Sequence, residues 1–192
     1  MNFVQRQAVG APQGHPQPAC RAPPDPCSHE TEQPEGEHQM TDETRPMSYS
    51  RSQLTSLVMP HMLNVLNHLF GGHLLAMVDQ AAAVAAIRHA GGPAVTARFD
   101  RVDFKERIAA GALVTCTATV DFVGNSSMDV TVEVTSEDVP TGARRVTHTA
   151  HVVFVAIDGA GRPRRVPRLV PETPEEQARY EAARRRRETR DK

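Results

Sequence analysis

The sequence predicts an α+β domain in which one long apolar helix covers one face of an antiparallel sheet. Three observations predict it: an Ala- and Leu-rich helical stretch, a change of hydrophobic period from 3.6 to 2 directly after it, and turn signals between the alternating segments. An antiparallel sheet has one face to cover, and this helix is the available cover.

The first elements in chain order are a strand, a loop and the long helix. Residues 54–59 are apolar-rich and predict the strand, and residues 61–68 form a loop with two asparagines. The helix is predicted over residues 73–90, directly after Gly71-Gly72, and a Gly-Gly-Pro sequence ends it. Because apolar residues occupy every face of this helix, we expect it to be buried on all sides.

Four antiparallel strands are predicted to follow the helix, because apolar and polar residues alternate in each of them. They cover residues 94–104, 113–123, 128–134 and 146–157. A last helix is predicted to start at Thr173-Pro174, where a capping residue precedes proline and two acids, and to end in the arginine run 184–187.

Composition divides the chain of 192 residues into three parts. Residues 1–48 hold eight of the 15 prolines and carry a net charge of −4, a composition that cannot bury enough apolar surface to offset chain entropy. We predict a disordered leader there, with Met40 and Met47 as alternative start sites to the first residue. Residues 49–160 then form the folded domain, and residues 161–192 form a basic extension that contains the last helix.

Charge and cysteine usage exclude several classes of function. The net charge of −1 and the balanced central part argue against a nucleic-acid-binding protein. No Cys/His spacing typical of zinc appears, so no metal is expected. The longest apolar stretch, residues 74–87, contains Asp79 and Gln80 and is too short to span a bilayer, so no membrane partner is expected. We therefore predict a cytoplasmic protein.

Asp79 departs from the apolar pattern of the long helix, where an unpaired carboxylate costs several kcal/mol. In one interpretation it lies on a narrow exposed strip with Gln80, or pairs with a distant arginine. In the other it is a general base, because free backbone N–H groups at Gly71-Gly72 suit an oxyanion. Gly72 and Asp79 would lie on one face about 10 Å apart along the axis. That arrangement suits hydrolysis of an activated carbonyl.

A set of short sequence blocks occurs in order along the chain, from about residue 54 to residue 187. The blocks are Asn64, Phe70-Gly71-Gly72, Leu74-Leu75, Asp79, Ala86, Arg88-His89-Ala90-Gly91, Val95-Thr96-Ala97, Asp100, Val102, Phe104, Gly111 and Gly124-Asn125-Ser126-Ser127-Met128. Together they resemble the hot-dog-fold acyl-CoA thioesterases, the short- and medium-chain acyl-CoA hydrolases of bacteria. The resemblance implies a hot-dog fold, in which an antiparallel sheet wraps around one central helix.

The resemblance also implies a reaction, the hydrolysis of acyl-CoA to a carboxylic acid and CoA. CoA is then part of the substrate, and no separate cofactor is implied. Asp79 is implied to activate water, while Asn64 and the backbone N–H of Gly72 polarise the thioester carbonyl. The active site would lie across the interface of a homodimer, alone or within a trimer of dimers.

Further positions are implied to line the path of the CoA moiety. They are Gly71, Thr96, Ala97, Arg98, Asn125, Ser126 and Ser127. Arg165 and Arg168 are candidates for the CoA phosphates, because arginine binds phosphate through two N–H groups; the run 184–187 is left unassigned.

The sequence departs from the family pattern at two places. Asn67 stands at a usual glycine, where asparagine tolerates a positive φ, and residues 105–108 replace a common proline. Two alternative functions stay open. One is a non-catalytic acyl-CoA-binding sensor, which would not need Asp79, and the other is a hot-dog enoyl-CoA hydratase.

Overall fold

The computed structural model describes residues 43–190, and the predicted leader before residue 43 lies outside the described residues. Its elements in chain order are β1 (Thr44–Pro46), α1 (Met47–Ser50), β2 (Ser52–Leu57), a 3-10 turn (Pro60–Met62), α2 (Gly71–Ala90), β3 (Ala94–Phe104), β4 (Leu113–Val123), β5 (Ser127–Asp138), β6 (Ala143–Ala156), β7 (Arg168–Val170) and α3 (Pro174–Arg190). Five antiparallel strands form one sheet in the order β2-β4-β5-β6-β3, and β1 pairs with β7 in parallel. The predicted α+β class is confirmed.

Helix α2 packs on one face of the five-stranded sheet and contacts all of its strands. Its buried face consists mainly of alanines, whose small side chains let the helix approach the sheet closely. This face packs against valines and alanines of β4, β5 and β6 in one hydrophobic core. In the described part of the chain, no helix combines the length and hydrophobicity needed to cross a bilayer.

The predicted burial of α2 on all sides is wrong for the single chain. Gly72, Ala76, Gln80 and Val84 are exposed, and their spacing of four residues makes them one strip along the helix. The helix also starts two residues earlier than predicted, so Gly71 and Gly72 form its first turn. An apolar composition therefore did not identify the face that is turned away from the sheet.

The observed strands of the main sheet agree closely with those predicted from the alternating pattern, and they differ from the prediction only at their ends. β3 and β4 have the predicted bounds, while β2 begins and ends two residues earlier than predicted. β5 and β6 extend further towards their connecting turn, because polar residues continue the ladder. Arg144 pairs with Glu137 across the two strands, and its Nε donates to the Glu137 carboxylate at 2.6 Å.

The boundary of the predicted leader at residue 48 lies too late in the chain. β1 pairs with β7, and Met47 is fully buried against the core. The Arg45 guanidinium donates from Nη1 to the carbonyl oxygens of Arg88 (2.8 Å) and His89 (2.9 Å). These carbonyls belong to the last turn of α2, where a cation is favourable. A chain that started at Met47 would lack this contact and β1.

The C-terminal extension packs against the sheet. Helix α3 begins at Pro174 as predicted and contacts β4. The Arg179 guanidinium lies 2.6 Å from the Asp121 carboxylate, and the ring of Tyr180 lies 5.2 Å from that of Phe122. Ala183 is fully buried. The helix is therefore held by an ion pair and by apolar contacts.

Loss of the ion pair under α3 should destabilise the fold. The Asp121 side chain is 3% exposed, so Arg179→Ala leaves a buried carboxylate without its cation, and we expect a loss of roughly 3 kcal/mol in the free energy of unfolding. Burial raises the pKa of Asp121, against the opposing effect of Arg179, and removing Arg179 raises that pKa further. The folded variant then binds the proton more tightly than the unfolded chain, so its stability increases as the pH falls from 7 towards the usual aspartate range.

Denaturant unfolding at pH 7 and pH 5 checks this expectation, with Asp121→Asn as the matched variant because it removes the charge. Arg179→Ala should lose more stability than Asp121→Asn at pH 7, and the difference should narrow at pH 5. A larger loss for Asp121→Asn would contradict the expected cost of the unpaired carboxylate.

Candidate active site

The N-terminus of α2 carries backbone N–H groups that have no acceptor within the described part of the chain. Phe70 is the N-cap residue and its side chain makes no cap; the first intrahelical bond runs from Leu74 N to Phe70 O at 3.1 Å. The N–H groups of Gly71, Gly72 and His73 precede that bond and so lack intrahelical acceptors. The ring of Phe70 lies so close to Gly72 that a Cβ there would clash with it. Glycine at position 72 therefore allows the Phe70 ring to pack directly against the helix backbone.

Asp79 lies two turns further along α2 and is held by a residue of the edge strand. The Thr96 hydroxyl donates to Asp79 Oδ1 at 2.7 Å. Asp79 is half-buried, next to the exposed Gln80, so the strip predicted by one interpretation of this residue exists. The bond to Thr96 fixes one carboxylate oxygen and orients the carboxylate at the border of that strip.

Asn64 organises the loop before α2 through its side-chain oxygen. Its Oδ1 accepts hydrogen bonds from the backbone N–H groups of Leu66 (2.9 Å) and His68 (3.2 Å). The loop turns at Asn67, whose φ of 57° is in the left-handed region, as expected for an asparagine at a glycine position. Within residues 43–190 no hydrogen bond engages Asn64 Nδ2, so the amide group offers a fixed donor.

Asn64 and Gly71 share a cavity of about 370 Å³. The other lining residues are Leu66, His68, Leu69, Leu74, Phe104, Lys105, Glu106, Arg107, Ile108 and His148. Asp79 does not line this cavity. One chain therefore forms two groups of predicted residues, one with Asn64 and the start of α2, and the other with Asp79 and Thr96.

The imidazole of His148 is the titratable group buried most deeply in the cavity wall. It is 4% exposed, and burial lowers its pKa. His148 was not among the predicted site residues, because side chains three positions apart in a strand, such as His148 and His151, face opposite sides and give no joint signal. In the structure His151 Nδ1 lies 3.0 Å from Thr131 Oγ1. Among the described residues, no three His, Cys, Asp or Glu side chains are arranged to hold a metal ion.

Two arginines from later in the chain contact the region between β4 and β5 that is predicted to contact CoA. Arg165 Nε donates to Asn125 Oδ1 at 3.1 Å, so the structure brings these two predicted residues together. Arg187 Nη1 donates to Ser127 Oγ at 2.6 Å, a contact that the sequence analysis did not assign. Ser126 accepts from a β6 backbone N–H through its carbonyl oxygen.

Arg168 is not part of this arginine pair. It lies in β7, where its backbone N–H donates to Glu43 O at 2.9 Å. Its neighbours are therefore set by the β1–β7 pairing.

Strand β3 is an exposed edge of the sheet that pairs with β6 on one side only. Thr96, Ala97 and Arg98 lie there, with a β-bulge between Thr96 and Arg98, and Arg98 contacts the Asp100 carboxylate. The apolar side chains of Val95 and Phe99 are exposed beside them. A long edge strand with exposed apolar residues is a template for pairing with another strand.

Comparison with known proteins places these features in a family. A model described as the thioesterase superfamily matches residues 66–143. A Bacillus subtilis protein named as an uncharacterized acyl-CoA thioester hydrolase, YkhA, is 43% identical over 136 residues, which are 71% of this chain and 79% of that protein.

Two solved structures share the fold. An acyl-CoA hydrolase from Staphylococcus aureus, in complex with butyryl-CoA, CoA and CoA disulfide, is 36% identical with a TM-score of 0.73 and covers 77% of this chain and 90% of its own. A hexameric acyl-CoA thioesterase without ligand is 39% identical with a TM-score of 0.76, over 78% of this chain and 96% of its own. The Staphylococcus enzyme was also solved as variants in which an asparagine, an aspartate or a threonine is replaced by alanine.

Proposed function

This chain belongs to the hot-dog-fold acyl-CoA thioesterases of the thioesterase superfamily, and from that membership we propose the residues that hydrolyse the thioester. Asp79 is the general base that activates water. The backbone N–H of Gly72 and the amide of Asn64 bind the thioester carbonyl oxygen. CoA is part of the substrate and leaves as the thiol.

The proposed reaction proceeds through a tetrahedral intermediate. Asp79 takes a proton from water as the oxygen attacks the thioester carbon, and the negative charge moves to the carbonyl oxygen. Donors at the start of α2 and at Asn64 stabilise that charge. The C–S bond then breaks, and the sulfur of CoA leaves with a proton returned from Asp79. Attack by the carboxylate itself, through a transient anhydride, is the alternative route to the same products.

The proposal rests on one observation: in both Asn64 and Asp79, one side-chain atom is held by local hydrogen bonds while the other is left for the reaction. Asn64 uses Oδ1 to hold its loop, which leaves its Nδ2 as a donor for the substrate. Asp79 has one oxygen fixed by Thr96 Oγ1 at 2.7 Å, which leaves the other for water. Both groups are thus oriented before substrate binds, which lowers the cost of reaching the transition state.

The spacing of these residues matches that of the residues studied in the Staphylococcus enzyme. Asn64 and Asp79 are 15 positions apart, as are the asparagine and the aspartate replaced there. Thr96 follows Asp79 by 17 positions, as does the replaced threonine. This correspondence supports a joint role for the three side chains.

We propose that the two groups meet across a homodimer that forms through the exposed edge of β3. Pairing of two β3 strands would bury Val95 and Phe99 and satisfy the unpaired backbone groups. It would also carry Asp79 and Thr96 towards the partner's copy of the Asn64 loop. The hexameric structure neighbour supports a trimer of such dimers.

The nucleotide end of CoA is assigned to the turn between β4 and β5. Arg165 donates a hydrogen bond to Asn125 in this turn, and its guanidinium can bind the phosphates of CoA through paired N–H groups. Ser126 belongs to the same turn and Ser127 begins β5, while Ala97 and Arg98 line the path from the β3 edge. Arg168 is the remaining phosphate candidate, from β7.

Release of free thiol from a panel of acyl-CoAs, from acetyl to palmitoyl, tests the activity of the full chain. We expect turnover of at least one member by the purified protein. Binding of acyl-CoA in a calorimeter without thiol release would favour the non-catalytic sensor. Consumption of an enoyl-CoA without thiol release would favour the hydratase.

A further inference from the structure

The cavity at Asn64 is bordered by a charged loop, residues 105–107, that directly follows β3. The backbone N–H of Lys105 donates to the carbonyl oxygen of Thr147 at 3.3 Å, and the carbonyl oxygen of Ile108 accepts from Leu69 N at 2.9 Å. The loop is therefore fixed at both ends. All three of its residues are exposed, and all three line the cavity.

The charges of this loop do not cancel at the cavity. The Glu106 carboxylate pairs with the Arg145 guanidinium at 3.0 Å. Within residues 43–190, no carboxylate pairs with Lys105 or Arg107. Three cations therefore surround one carboxylate, and that carboxylate already has its partner. An anionic group of a ligand would be attracted to the two remaining cations.

The positive charge of Lys105 acts on the wall of the cavity. Burial lowers the pKa of the His148 imidazole, Glu106 raises it and Lys105 lowers it. Because charges that are separated by water are screened over a short distance, this effect indicates that the Lys105 ammonium lies near the cavity. The imidazole itself is neutral at pH 7, so the positive charge there comes from the loop and not from His148.

The part of the cavity between the loop and α2 suits a short hydrocarbon chain. Leu69, Leu74 and Ile108 form an apolar wall, and the volume of about 370 Å³ is at the small end of the range for ligand sites. The Phe104 ring lies next to the start of α2, 3.5 Å from the position that a Cβ on Gly71 would take. The lining thus changes from N–H donors through apolar groups to cations.

We propose, on the basis of the proposed function, that this cavity receives the acyl group and that Lys105 and Arg107 select short acyl groups that end in a carboxylate. The acyl carbonyl then lies at Asn64 and the start of α2, the methylene groups contact the apolar wall, and the terminal carboxylate reaches the loop. The phosphates of CoA are the other anions of the substrate. The pantetheine arm separates them from the thioester, and the turn contacted by Arg165 is their proposed site.

Thiol release from succinyl-CoA and butyryl-CoA tests this selectivity, with the uncatalysed release subtracted. The two acyl groups have the same number of carbons and differ in the terminal group. The parent should show a kcat/KM about tenfold higher for succinyl-CoA, the low end for a hydrogen bond to a charged group, because the loop is exposed. The ratio should fall as salt is added, since ions screen the contact.

Substitutions in the loop and beside it should change the ratio in different directions. Lys105→Met and Arg107→Met keep the apolar stems and together should bring the ratio close to one, while Lys105→Glu should make butyryl-CoA the better substrate. Arg145→Met leaves the Glu106 carboxylate without its partner and should lower the ratio. Arg144→Met is the matched control, because Arg144 pairs with a different carboxylate and lies outside this cavity, and it should keep the parental ratio.

The outcomes separate the selectivity from the hydrolysis itself. Absence of thiol release with any acyl-CoA would refute the proposed function, and the inference with it. Hydrolysis of both substrates with equal kcat/KM in the parent would refute the selectivity alone, as would an unchanged ratio when Lys105 and Arg107 are both methionine. If that double variant raised KM equally for both substrates, the two cations would bind a phosphate of CoA, and the selectivity would again be refuted.

Discussion

Replacement of Asp79 by asparagine is expected to lower kcat for acyl-CoA hydrolysis about 10²- to 10⁴-fold, the usual contribution of a general base. Asparagine keeps an oxygen that can accept the bond from Thr96, so the local geometry is retained while the base is lost. KM should change little, because Asp79 is assigned to water and not to binding. Thiol release measured against substrate concentration, for Asp79→Asn and Asp79→Ala, separates these effects.

The neighbouring Gln80 provides the control for Asp79. It is exposed on the same turn of α2, and Gln80→Ala should keep the parental kcat. Calorimetry with an acyl-CoA should show that Asp79→Asn still binds substrate. If Asp79→Asn turned over acyl-CoA as fast as the parent, Asp79 would be a structural carboxylate bound to Thr96, and the mechanism proposed for it would fail.

Two inactive variants are expected to restore activity when they are combined, because the proposed site takes Asn64 and Asp79 from different subunits. Asn64→Asp keeps the side-chain oxygen that holds the loop but removes the Nδ2 donor, so it should lose about 10²-fold or more in kcat. Co-expressed with Asp79→Asn, it should form mixed dimers in which one of two sites is intact. Random pairing then gives about a quarter of parental activity.

Whether two subunits share the site is decided by comparing the co-expressed variants with the same variants purified separately. Equal amounts of the two proteins purified separately and assayed without subunit exchange should stay inactive. A chain that carries both substitutions, co-expressed with Asp79→Asn, should also stay inactive, because no site then contains the base. A co-expressed pair as inactive as the separate variants would place the whole site within one chain.

The α+β fold and most strands could be predicted because their signals are local. The period of 3.6 followed by a period of 2 gave the order of elements, and β3 and β4 have the predicted bounds. Gly72 and Asp79 were selected for similar reasons, since a lone carboxylate in an apolar helix and glycines at its start are visible in a short window, whereas Asn64 was selected only through the family resemblance. Family resemblance then gave these residues a common chemistry.

The contacts between distant segments could not be predicted from local pattern. Met47 and Arg45 were placed in the leader because its composition is proline-rich, yet one is buried in the core and the other caps the last turn of α2. No partner could be predicted for the arginine run of the last helix, whereas in the structure Arg187 donates a hydrogen bond to Ser127. Composition describes a segment alone, and these residues are stabilised by partners far along the chain.

The sequence alone thus determined the long helix, the five strands of the main sheet and the last helix, and it indicated which residues carry suitable chemistry. The tertiary structure decided which of them meet: Asp79 with Thr96, and Asn64 with a cavity whose wall includes His148. Periodicity reports only whether a side chain points towards or away from a core. The partner of each polar group depends instead on how the helix and the strands pack, and that packing is set by contacts across the whole domain.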